Sequence, residues 1–107
     1  MMMSEREGAA LKDCIGNFRD ATYEITGSLA QLKRLNPNTF QFQMSNVQTW
    51  MSAAFTDHDS CLTGFQDFNT SGKVTAMVTG RVQKVCQLIS NSLALINTFA
   101  ANGGGYL

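Results

Sequence analysis

The apolar residues of this chain fall into three long stretches with helical spacing. In the first, roughly Ala9 to Leu35, Leu11, Ile15, Phe18, Thr22, Ile25, Leu29 and Leu32 alternate four and three apart, the stripe of a bundle helix. Cys14 and Ala21 widen that stripe, while Lys12, Asp13, Arg19, Asp20, Glu24, Gln31 and Lys33 fall mostly opposite. Gly16 and Gly27 each weaken the helix by up to about 1 kcal/mol relative to Ala, which packing must offset. The second stretch opens at "SNVQ", Ser45 to Gln48, whose spacing predicts a capping box with the Ser45 hydroxyl accepting from the Gln48 amide. Its apolar face carries Val47, Met51, Ala54, His58, Cys61 and Phe65, with Trp50 and Leu62 beside them. The third stretch, about Gly72 to Phe99, repeats Val78, Val82, Val85, Ile89, Ser92, Ile96 and Phe99. Val74, Cys86, Leu88, Leu93 and Leu95 flank it.

Two breaks separate these stretches. "NPN", Asn36 to Asn38, holds the one proline, which removes a donor and restricts its predecessor. "DFNTSGK", Asp67 to Lys73, is polar with one glycine. The final "NGGGYL" cannot propagate a helix, so residues 102–107 are expected to form a loose tail. Short connectors between long helices force antiparallel neighbours. The predicted fold is all-α: an antiparallel up-and-down bundle of three long helices in a single domain, residues 1–107. Wide apolar faces on all three helices suit a three-helix bundle, and equally a four-helix bundle short of one member.

Composition removes several classes of function. Eight Lys and Arg balance eight Asp and Glu, and no basic stripe marks a nucleic-acid face. No apolar run approaches the roughly 20 residues that cross a bilayer. The opening "MMMSEREGAALKDC" has no apolar core of a secretory signal, so no signal peptide is expected in this chain. Three Cys permit one bridge and one thiol, or three reduced thiols. With one His and no CxxC spacing, neither a metal nor a cofactor is predicted.

The stretch "QTWMSAAFTDHDSCLTGF", Gln48 to Phe65, invites a catalytic reading because His58 sits between Asp57 and Asp59, with Ser60 following. Successive helical residues point about 100° apart, so these side chains cannot converge as a triad. His58 is read instead as a partly exposed helix residue, and no catalytic residue is assigned. Trp50, Met51 and Phe65 lie at core spacing. Asn69 heads an Asn-Thr-Ser glycosylation sequon within the second break.

"ALKDC" (Ala10 to Cys14), "SNVQTWMSAAFTDHDSCLTGF" (Ser45 to Phe65) and "SNSLALINTFA" (Ser90 to Ala100) together resemble the plant pectin methylesterase inhibitor and invertase inhibitor family. The resemblance runs from about Glu5 to Ala101 and leans toward the pectin methylesterase inhibitor branch. It implies the last three helices of a four-helix bundle, without the N-terminal hairpin and first bundle helix. The expected function is steric occlusion of the substrate cleft of pectin methylesterase, with acid invertase as the alternative target and an inactive, self-associating bundle as another. The resemblance further implies a Cys14–Cys61 disulfide, partner contacts at Gly16, Ser60 and Thr63, and an extracellular cell-wall setting. Gly16 stands where family members commonly carry an acidic residue, which removes a charge-assisted contact of about 1.5–3 kcal/mol if buried. A bundle short of one helix leaves an apolar groove, which a homodimer would cover.

Overall fold

A computed structural model describes residues 4–67 and 72–105, omitting the side chain of Asp67. Three helices follow one another: α1 (Glu5–Lys33), α2 (Phe40–Asp67) and α3 (Lys73–Ala101), with no strand among the described residues. They run up, down and up as a rod 54 × 20 × 20 Å. The middle helix α2 packs along both neighbours, whereas α1 and α3 barely touch each other.

The helix ends differ from the sequence expectation for identifiable reasons. α1 begins four residues before Ala9 because Ser4 and Glu7 form a capping box: Ser4 Oγ accepts from the Glu7 amide at 3.1 Å and Glu7 Oε1 accepts from the Ser4 amide at 3.3 Å. α2 begins at Phe40, so Ser45 lies inside the helix and the capping box predicted there does not form. The start is set upstream. Asn36 Oδ1 accepts from the Asn38 amide at 2.9 Å, and the Thr39 carbonyl takes the Gln43 amide at 2.9 Å as the opening helical bond. Gln43 closes the reversal, accepting from the Asn36 amide at 2.8 Å and donating Nε2 to the Arg34 carbonyl at 2.8 Å.

Residues 102–105 of the expected tail form a cap on α3. Gly103 N–H donates to Ala100 O at 3.2 Å and Gly104 N–H to Phe99 O at 2.9 Å, a Schellman pair built on positive φ values of 62° and 88°. Residues 106 and 107, and the sequon asparagine Asn69, lie outside the described residues.

The core follows α2. Every residue of its predicted apolar face, Val47, Met51, Ala54, His58, Cys61 and Phe65, is buried. On α1 the buried line is not the predicted one. It consists of Glu7, Ala10, Cys14, Ala21 and Ser28, mostly small side chains that let two helix backbones approach closely. Of the predicted stripe, Ile15 is 50% and Leu29 52% exposed, and Leu11, Phe18, Ile25 and Leu32 are half-buried. The stripe turns toward an apolar trough that α1 and α3 leave open between them, lined by Phe18, Val78, Val82 and Val85. Val82, Cys86, Ile89 and Ala100 of α3 are buried, while Leu88 is 64% and Leu95 55% exposed.

Candidate functional site

The two sulfur-bearing positions of α1 and α2 are joined. Cys14 and Cys61 form a disulfide whose Cα atoms stand 4.6 Å apart, a separation reached because alanine and serine line the helices on either side. On one flank of this bond the surface dips into a notch of about 540 Å³, bounded by Lys12, Asp13, Gly16 and Asp20 of α1 and by Ser60 and Gly64 of α2. A Cβ added to Gly16 or Gly64 would meet no atom within 4 Å, so bare backbone forms part of the floor. The rim carries one cation, two carboxylates and a hydroxyl, which suits hydrogen bonding to a partner surface. The notch unites Gly16 and Ser60; Thr63 is exposed nearby on α2 but does not line it.

His58 stands apart from this notch and is buried, 8% exposed, contrary to the expectation of partial exposure. Its Nδ1 lies 2.9 Å from the Ala54 carbonyl, an acceptor, so Nδ1 carries the hydrogen. Its ring packs on Phe18 with centroids 5.3 Å apart. The stripe of α1 passes close enough at Phe18 to cover the imidazole, which spacing along α2 could not reveal. Asp57 points toward α1 and Asp59 toward solvent, so the local Asp-His-Asp-Ser run stays dispersed.

Two carboxyl groups that sequence reading did not single out organise this molecule. Glu7 Oε2 accepts from the Thr75 hydroxyl at 2.8 Å, tying the start of α1 to the first turn of α3. The bonds from the Thr75 side chain, then the Ser4 amide and the Thr75 amide, hold its carboxyl below the usual 4.5, against a smaller opposing effect of burial. Gly72, the N-cap of α3, offers no side-chain cap of its own, and Glu7 takes that place. With φ at 147° and an added Cβ only 3.2 Å from Glu7 Oε2, Gly72 admits no side chain without strain. The motif Ser-x-x-Glu at Ser4 to Glu7 was the available signal for half of this arrangement; the link to Thr75 had none.

Glu24 behaves in the opposite sense. Burial first, then the neighbouring carboxyl of Asp57 across the α1–α2 contact, with Asp20 adding charge, push its carboxyl up to about 7. Cys86, the unbonded cysteine, is buried, and burial raises its thiol pKa, with the charge of Asp59 adding to the effect. Among the described residues no group of three or more His, Cys, Asp or Glu could hold a metal ion, and no helix is long and apolar enough to cross a membrane.

The molecule is thus an antiparallel all-α bundle stapled between its first two rods, with a polar notch beside the staple. Residues 2–95 match the plant invertase/pectin methylesterase inhibitor family, and the chain belongs to that family. It is 39% identical over 102 residues to the "21 kDa protein" of Daucus carota, covering 92% of this chain and 53% of that protein. Pectinesterase inhibitor 6 of Arabidopsis thaliana is 41% identical over 101 residues, 94% of this chain and 49% of the relative. Pectinesterase inhibitor 9 of the same plant is 41% identical over 99 residues, covering 89% and 48% respectively. The chain thus spans about half the length of the curated relatives it matches. No solved structure matches it.

Proposed function

We propose that this chain is a non-enzymatic protein inhibitor of pectin methylesterase, blocking the enzyme's substrate cleft with the notch face of α1 and α2. The observation that carries the reading is family membership over residues 2–95, with relatives named as pectinesterase inhibitors at about 40% identity. Its support in the fold is the disulfide, which fixes Gly16 and Ser60 on one rigid face, with Thr63 beside them as a third contact. Rigidity matters because a surface that is already ordered loses little entropy on docking. A bonded cysteine pair suits an oxidising compartment, and we place the chain outside the cell, in the plant wall.

The test is titration of the purified chain into a pectin methylesterase assay, with acid invertase run in parallel. Saturable loss of esterase activity with invertase untouched is expected. Inhibition of invertase alone would transfer the reading to the other branch, and no inhibition of either enzyme at micromolar chain would remove it. Ser60→Arg, which fills the notch from an exposed position, should weaken esterase inhibition while leaving the helical circular dichroism unchanged.

A further inference from the structure

Three large apolar residues of α1 are at least half exposed, and they do not share a face. Ile15 and Leu29 belong to the stripe that turns toward the trough. Tyr23 does not. At about 100° per residue it falls within roughly 20° of Lys12 and of Gly16, both on the notch. It stands roughly 140° from Phe18, which lines the trough. At 75% it is the most exposed large apolar residue among those described. Thr26 and Gly27 one turn on and Gly16 two turns back are small, so the ring stands clear of its own helix. Helical Cβ bonds tilt toward the N-terminus, which for Tyr23 is the direction of the notch. We infer that Tyr23 is the aromatic anchor of the inhibitory face, its ring entering an apolar pocket on the esterase while the notch rim hydrogen-bonds beside it; this rests on the proposed function.

The notch alone is a weak source of affinity. Its rim is Lys12, Asp13, Asp20 and Ser60, all exposed, and charges that stay in water select a partner more than they hold it. Tight contact needs apolar area desolvated on the same face, and Tyr23 is the exposed large apolar residue that the notch side of α1 presents. Tyrosine suits the task. Its ring buries a large area while fixing two torsion angles, its hydroxyl keeps a polar handle, and binding energy concentrates in such residues. The helix beneath it is already ordered: Ala21 and Ser28 on either side are each 1% exposed against α2, and Cys14 is bonded to Cys61. Little entropy is therefore lost when the ring docks.

Tyr23→Ala should raise the chain concentration that half-inhibits pectin methylesterase at least about tenfold. Helical circular dichroism and the thermal midpoint should stay as they were, because the ring is in water in the free chain. Tyr23→Phe, which keeps the ring, should restore most of the inhibition. Phe42→Ala removes an aromatic side chain that is 69% exposed but lies about 27 Å along α2 from Ser60, and it should leave inhibition intact. An unchanged chain that inhibits, with Tyr23→Ala inhibiting equally well, overturns the inference and leaves the proposed function standing. Equal losses from Tyr23→Ala and Phe42→Ala, or a Tyr23→Phe chain as weak as Tyr23→Ala, overturn it too. An unchanged chain that never inhibits the esterase removes the proposed function, and the anchor with it.

Discussion

Against α1, the middle helix meets alanines, a serine and a bonded cysteine; against α3 it meets valines, an isoleucine and a free thiol. The first contact gains from close approach and a covalent tie, and it has little room to adjust. The second gains from aliphatic bulk that is partly uncovered, with Val78, Val85 and Ile96 only half-buried. One fold therefore combines a stiff pair of rods with a third rod docked more loosely. The third is fastened at its N-terminal end by Glu7 and Thr75.

The contrast can be broken most forcefully at the disulfide. Replacing Cys14 and Cys61 with alanine frees a loop of sequence separation 47 and should cost about 4 kcal/mol in urea unfolding. Enlargement comes next. Ala54→Leu, inside the tight contact, should cost about 1–3 kcal/mol. Val85→Leu, at the open trough, should stay within about 0.5 kcal/mol, and equal costs at the two sites would erase the distinction.

Protons separate the two contacts as well. Glu7, held below 4.5, contributes stability above that pH and loses it as the solution becomes more acid. Glu24, raised from 4.5 to about 7, contributes most below pH 4.5, and its contribution fades as the pH climbs through 7. The urea midpoint should therefore decline on both sides of a mildly acid optimum. Glu24→Gln should remove the decline on the alkaline side alone. Glu7→Gln should flatten the acid side and speed hydrogen exchange in the first turn of α3.

The smallest effect is the finest probe. On α1, Gly16→Ala enters open space and should add up to about 1 kcal/mol of stability. Gly27→Ala would put its Cβ 3.3 Å from the Trp50 ring, so the same change there should gain less or destabilise.

How far these features could be read in advance depended on how many neighbours each helix has. α2 is flanked on both sides, so its whole apolar face is buried and its periodicity reported the core residue by residue. α1 is flanked on one side. Its largest apolar residues mark the trough, and the residues that meet α2 are small ones, Ala10, Ala21 and Ser28, which a search for bulky side chains passes over. The cysteine pairing followed from family likeness. Ser45 misled because a serine three before a glutamine also occurs inside helices, whereas the true start needed Asn36 and Gln43, seven residues apart. The Glu24 and Asp57 pairing joins positions far apart in the chain and left no local trace.

Gln43 holds the reversal between α1 and α2 together from within. Its amide clasps Arg34 on one side of the reversal and Asn36 on the other, so the bend is secured within ten residues and without α3. Contacts so near in sequence form early, which makes the α1–α2 hairpin the expected first product of folding. Sulfur oxidation would then report the birth of the hairpin, and the last helix would arrive on a finished pair. Gln43→Ala should slow thiol pairing from the reduced chain; an unchanged rate would mean that the reversal needs the whole molecule around it.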